Sequence, residues 1–314
     1  MKHLKKQYGG IMEELKVADF CELFGTEKIE SETILNLISS YDFRYEYLTG
    51  KERDDVLLRV LKKINSKIHT VGDLKRWEEG WQENLTEFEK TNNPDSLIPK
   101  YVHNGEICRL RKNYIKTSSP TFEHDFRSVL QRWILETYMP EATDIFEFGC
   151  GSGYNIPIIA QMYPEKMIHG LDWARPAVEI VNKMKKNFNN VEGHLFDIFN
   201  PHQYELNIPE GSYAVTFNCL EQAGNNYWQF TNFLLESKVK RVLNIEPILH
   251  FYDENNLVDY LAIQYHWKRQ YLFGYYTYLH WLESEHKIKI IKSKRVEVGN
   301  TYNDVWSLLF WEIL

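Results

Sequence analysis

Cysteine is scarce: Cys21, Cys108, Cys150 and Cys219 are the only four in 314 residues, and none sits in a CxxC pair or beside a histidine at metal-ligand spacing. A disulfide framework and a zinc module are thereby excluded as what holds the chain together. Basic clusters are scarce as well. Lys and Arg total 37 against 44 Asp and Glu, a net charge of −7, and the one early group, Lys2, Lys5 and Lys6, is too small to grip a phosphate backbone. No nucleic-acid partner is expected. Long apolar runs are missing too, since no window approaches the roughly 20 residues of a membrane span. The stretch "GGIMEELKVADF" after the first lysines lacks the apolar segment of a secretion signal. The chain therefore reads as cytoplasmic, with no membrane span.

What is present in excess is aromatic side chain, 15% of the residues. What is present in regular order is an alternation of short β-type runs with helical ones. "DIFEFG" reads as a strand, followed by a helix from about Tyr154 to Met162 that Pro164 stops. "KMIHGLDW" is a second strand. The helix after it carries Ala177, Val181, Met184 and Phe188 as an apolar seam suited to packing on a sheet. "EGHLFDI", "SYAVTFN" and "KRVLNIEP" supply three more strands, and "KIKIIKSKRVEV" with "VWSLLFWEIL" forms a hairpin about the turn "GNTYND". The expected fold class is α/β: a doubly wound, seven-stranded, mostly parallel sheet with one antiparallel strand, preceded by an N-terminal helical region. A boundary near residue 117 separates the helical region 1–117 from the α/β domain 118–314. Ser119 followed by Pro120 is expected to open the helix that leads into the first strand.

Three glycines follow the first strand in "EFGCGSG". After a strand, glycines let the backbone turn sharply and approach a ligand at the next helix N-terminus. The spacing Gly149, Gly151, Gly153 departs from the G-x-G-x-x-G of a dinucleotide site, and Glu147 just before it would repel a pyrophosphate but suits a cationic ligand. Asp172 lies 23 residues after Gly149, near the roughly 20 at which an acid meets a ribose hydroxyl.

At these residues the chain resembles the class I, Rossmann-like, S-adenosyl-L-methionine-dependent methyltransferases. "EFGCGSG" resembles their first motif, and "GLDWA" the second, which implies Asp172 on the ribose and Trp173 beside the adenine. "LFDIF" resembles the third, implying Asp197 and Ile198 at the adenine. "FNCLEQAG" resembles the segment along the methionine moiety, with Asn218, Glu221 and Gln222 as candidates; Gln222 stands where many relatives carry His. The resemblance covers residues 121–314, and the block from "EPILHFYDENN" onward resembles a less characterised bacterial branch. It implies S-adenosyl-L-methionine as methyl donor, with S-adenosyl-L-homocysteine as product.

The acceptor is expected beyond the carboxyl ends of the fourth and fifth strands. There an aromatic-rich insertion, about residues 248–286, holds tyrosines and tryptophans too numerous for one core. Within it His266 is the candidate base, with Glu246 or Asp253 to orient it, and Lys268 and Arg269 are candidates for an anionic acceptor. The N-terminal region is expected to act as a lid or to form part of the acceptor pocket, with Tyr114, Arg109 or Arg111 reaching the methionine carboxylate. A small-molecule acceptor, an oxygen of a carbohydrate or related metabolite, is the first expectation. A nitrogen or protein acceptor, a catalytically silent cofactor-binding or regulatory protein, and an NAD-dependent oxidoreductase stay open, as does a homodimer formed through the aromatic segment.

Overall fold

The computed structural model describes residues 11–98 and 105–314; Lys2, Lys5 and Lys6 lie outside the described residues. From the N-terminal side the elements are strand β1 (Glu13–Glu14), helices α1 (Val17–Phe24) and α2 (Glu32–Ser40), strand β2 (Arg44–Tyr47), helices α3 (Gly50–Ile64) and α4 (Leu74–Thr91), and the strands β3 (Ile107–Leu110) and β4 (Asn113–Thr117). Helix α5 (Phe122–Tyr138) leads to β5 (Ile145–Phe148), α6 (Ile156–Met162), β6 (Ile168–Asp172), α7 (Arg175–Met184), β7 (Val191–Leu195) and β8 (Ser212–Phe217). The remainder is α8 (Tyr227–Glu236), β9 (Val239–Ile245), α9 (Leu257–Arg269), α10 (Tyr275–Ser284), β10 (Ile288–Arg295), β11 (Val298–Gly299) and β12 (Ser307–Ile313).

The central sheet has seven strands in the order β10-β12-β9-β8-β5-β6-β7. Its neighbours are parallel except at β12, which runs antiparallel to both β9 and β10. Parallel strands buried on both faces read as continuous apolar runs, and successive residues do enter two different cores. Ile145, Val215 and Leu243 belong to a cluster with α5, α6 and α7, whereas Phe146, Ala214 and Val242 belong to one with α8 and α10. The seam expected on α7 is buried at Ala177, Val181 and Met184, with Ile180 added to it.

Three features differ from the sequence expectation. The first 117 residues are not wholly helical: β1, β2, β4 and β3 form a second sheet that takes β11 as its fifth strand. Its β3–β4 turn places Arg111 and Lys112 at φ 49 and 62. Hairpin turns with two positive-φ residues are usually announced by Asn-Gly, so an Arg-Lys pair gives no signal. Second, β10 and β12 do pair, but the chain between them leaves the central sheet, and Val298 and Gly299 pair with Leu110 and Arg109 of β3 instead of making a simple turn. Third, α5 begins at Phe122 rather than at Pro120; Ser119 Oγ instead accepts the Thr121 N–H at 3.2 Å.

The insertion after β9 divides between the two parts of the molecule. Helix α10 contributes Tyr275, Leu279 and Leu282 to the core of the central sheet. Helix α9 packs Val258 and Leu261 on Val56, Leu57 and Val60 of α3. The N-terminal segment is thus fastened over the same end of the sheet at which the strands discharge their loops.

Candidate functional site

A cleft opens at the carboxyl ends of β5, β6 and β8, where strand order reverses around β5 and the outgoing loops diverge. Gly149 and Gly151 shape its floor. Their φ values are 71 and 54, and a side chain would collide: a Cβ on Gly149 would lie 1.9 Å from Cys219 Sγ, and one on Gly151 would lie 2.8 Å from the Trp81 ring. Both positions therefore require glycine for conformation and for space.

Glu147 ends up inside this cleft because β5 is central and fully buried. Its Oε1 accepts from Asn155 Nδ2 at 2.5 Å, while its Oε2 is buried with no partner. Burial pushes its pKa up to about 8, against the smaller opposing effects of the Asn155 hydrogen bond and Arg127. Arg127, from α5, donates to Asn155 Oδ1 at 2.8 Å through Nη2 and lies 4.7 Å over the Tyr154 ring; its Nη1 is likewise buried without a partner. The cleft thus holds one unmet acidic acceptor and one unmet cationic donor.

Asp172, the last residue of β6, accepts from Gly151 N and Ala174 N, each at 2.9 Å. These bonds fix both carboxylate oxygens at the mouth of the glycine turn. Burial raises its pKa to about 6, the backbone N–H groups opposing. Trp173, Phe196, Ile198 and Phe199 supply the apolar wall beside it. From the N-terminal side, Trp77 and Trp81 of α4 stack at 5.5 Å between ring centroids and close over Trp173, Ala174 and Ala177. A salt bridge at 2.8 Å between Glu89 and Lys183 joins the same two helices, α4 and α7, further along.

A second chamber adjoins the first, with Trp77, Asn218 and Gln222 in the wall of both. Asn218 adopts φ 53, a left-handed conformation that Asn tolerates, and its Nδ2 donates to Val305 O at 2.8 Å. The short 3-10 turn after it is capped by Glu246, whose two carboxylate oxygens accept from the N–H groups of Cys219, Leu220 and Glu221 at 3.0–3.1 Å. Glu221, in that turn, faces the second chamber; Gln222 Nε2 donates to its Oε1 at 2.9 Å. Burial, then the nearby Glu246, raise its pKa to about 8.

Of the residues singled out from the sequence, Glu147, Gly149, Gly151, Asp172, Trp173, Ile198, Asn218 and Gln222 line the first cleft together. The others fall elsewhere. Gly153 admits α7, where a Cβ would meet Met184 at 2.9 Å. Asp197 closes its own turn, accepting from Phe199 N and Asn200 Nδ2 at 2.9 Å each. Glu221 belongs to the second chamber. Tyr114 is buried among α3 and α9 residues, away from the cleft.

The candidate base His266 lies apart from both chambers. His266 is buried between the Tyr252 and Tyr271 rings, its Nε2 is 3.4 Å from Asn303 Nδ2, and it lines neither chamber. Burial and the Arg109 charge drop its pKa to about 3, so it stays neutral and packed. Neither Glu246, which caps the 3-10 turn, nor Asp253, which bonds Asn255 N at 3.0 Å, orients it. Arg109 pairs with Asp259 and Asp304, and Arg111 with Asp19 and Glu22, so neither is free for a ligand in the cleft. Sequence reasoning missed Arg127, Asn155, Trp77 and Trp81. The two tryptophans did leave a signal, four residues apart and in helical step with Leu85 and Phe88.

No protein-family model matches the chain, and no curated protein matches it significantly. Solved structures to which it is similar include a SAM-dependent methyltransferase from Aquifex aeolicus, at 14% identity over 59% of this chain and 89% of that one, with TM-score 0.41. An rRNA methylase from Escherichia coli shows 10% identity over 90% and 100%, with TM-score 0.43. A geranyl diphosphate C-methyltransferase from Streptomyces coelicolor A3(2) shows 9% over 74% and 98%, with TM-score 0.47. Likenesses this distant say nothing of what this chain binds. Among the described residues no helix is long and apolar enough to cross a membrane.

Proposed function

We propose that the chain is an S-adenosyl-L-methionine-dependent methyltransferase of a small polar acceptor, with an oxygen of a carbohydrate or related hydroxylated metabolite as the atom methylated. One observation carries this reading: Glu147 Oε2 and Arg127 Nη1, buried and unpartnered, face the same glycine-lined cleft. The ammonium and carboxylate of an amino-acid end would satisfy both. A pyrophosphate would satisfy the arginine but brings no cation to Glu147, which weighs against a dinucleotide.

The donor supplies a methyl group activated on sulfonium; the chain's own residues do the rest. Asp172, held by two backbone N–H groups, has acceptor capacity left for ribose hydroxyls. Trp173 and Ile198 offer apolar faces for the adenine, and Trp77 with Trp81 exclude water from that side. In this reading the N-terminal region is the lid, with α4 as its working part, and the two layers of helices make the sheet doubly wound. Glu221 replaces His266 as the proton-holding group: its Oε2 is the carboxylate oxygen not engaged by Gln222, and it faces the chamber where an acceptor hydroxyl would sit.

Titration calorimetry with S-adenosyl-L-methionine, S-adenosyl-L-homocysteine and NADH tests the donor. Binding of the first two and not the third is expected, and absence of binding by both sulfur ligands overturns the reading.

A further inference from the structure

The second chamber carries a charge opposite to that of the whole molecule. Lys63, Lys67, Arg76 and Arg269 line it against two carboxyls, Glu123 and Glu221, in a chain whose net charge is −7. The four cations come from separate pieces of structure. Lys63 lies in the last turn of α3, Lys67 in the loop beyond it, Arg76 in the first turn of α4, and Arg269 at the end of α9. Their convergence is a product of the fold. Among the described residues none of the four is engaged in an ion pair.

Arg269 is the inner member. Its guanidinium lies 4.8 Å from the Tyr271 ring centroid, and its Nε is buried with no hydrogen-bond partner. A planar cation held against a ring with a donor unmet is prepared for an oxyanion. Beside it Tyr265 and Tyr302 stack with centroids 5.1 Å apart and present an aromatic surface to the chamber. The chamber meets the glycine-lined cleft across Trp77, Asn218 and Gln222.

We propose that this chamber recognises the methyl acceptor by an anionic group, a carboxylate or a phosphate, held by Arg269 from within and by Arg76, Lys63 and Lys67 at the rim, with the organic part against Tyr265 and Tyr302. The inference rests on the methyltransferase reading for the word acceptor alone; anion binding is a property of the chamber by itself.

Calorimetric titration of the full chain, with and without S-adenosyl-L-homocysteine, tests it. The probes are inorganic phosphate, glucose 6-phosphate against glucose, and 4-hydroxybenzoate against its methyl ester. The charged member of at least one pair is expected to bind about tenfold tighter than its neutral counterpart, with the gap narrowing as salt is raised. The two pairs distinguish phosphate from carboxylate. Arg269→Gln is expected to reduce the preference severalfold. Arg76→Gln, on an exposed side chain, reduces it in the same direction. Affinity for S-adenosyl-L-homocysteine is expected to hold in both variants. Equal affinities within both pairs, or a preference that both variants leave intact, overturn the proposal. A wild-type chain that prefers the charged probes but binds no S-adenosyl-L-homocysteine supports the anion site and sinks the donor assignment. The reverse pattern does the opposite.

Discussion

Arg109 and Asp259 form a salt bridge at 2.6 Å in which neither side chain has any solvent exposure. One sits on β3 of the N-terminal sheet and the other on α9 of the insertion, 150 residues apart. Arg295 and Asp304 complete the group: Arg295 bonds both oxygens of Asp259, and both arginines bond Asp304. Tyr252 lies under both guanidinium groups, at 5.5 and 4.4 Å. Removing one partner from such a group leaves a charge buried and unpaired. Asp259→Asn is expected to destabilise the fold by about 3–5 kcal/mol, read by chemical denaturation. A loss below about 1 kcal/mol would place the network with ordinary surface pairs.

Glu147→Gln separates binding from stability. The variant removes a carboxylate oxygen that is buried without a partner, so the ligand-free protein is expected to melt no lower than wild type. The same change removes the acceptor for a ligand ammonium, at a cost of about 1.5–3 kcal/mol in affinity, or more than tenfold in Kd for S-adenosyl-L-homocysteine. Unchanged affinity would dismiss Glu147 as a ligand contact.

Carboxyls desolvated by the fold make the ligand-free protein sensitive to alkali. Asp172 is raised to about 6, Glu246 to about 7, and Glu147 and Glu221 to about 8, each mainly by burial. Their unfolded-state values are those of ordinary carboxyls, about 4. Between about pH 4 and pH 8 the folded state therefore binds protons that the unfolded state has released, and stability falls as pH rises through that window. Melting temperature is expected to be lower at pH 8 than at pH 6. A ligand ammonium beside Glu147 should flatten the slope, and a melting temperature that climbs over the same interval would contradict these assignments.

Glu221→Gln addresses the proton. Once an acceptor is in hand, the methyl-transfer rate of the wild type is expected to rise with pH through about 8 as Glu221 ionises. The glutamine variant should lose that limb while retaining S-adenosyl-L-homocysteine affinity. A limb that survives the substitution assigns the proton to another group.

Local spacing was enough for a good part of this molecule. Alternating apolar runs placed the strands of the central sheet, the terminal pair announced the single reversed strand, and "EFGCGSG" marked the glycine turn, because turn chemistry and side-chain period are properties of a few neighbouring residues. Glu147 and Asp172 were legible from their places beside the glycine turn and at the end of the second strand, Trp173 and Ile198 only through the resemblance of "GLDWA" and "LFDIF" to methyltransferase motifs, and all four line the cleft. What stayed hidden depended on segments distant in the chain. Arg127 becomes a cleft residue because α5 packs beside Asn155, and Trp81 because α4 folds back onto α7. The Arg111-Lys112 turn carries no glycine, and β11 finds β3 only after the whole α/β part has folded. His266 and Glu221 show the limit most directly. Both are ionisable residues in motif-rich segments, and burial set one at about 3, walled in by tyrosines, and the other at about 8, facing a chamber. Residue type names the group that titrates; desolvation and the charges around it, which exist only in the folded chain, decide what it does.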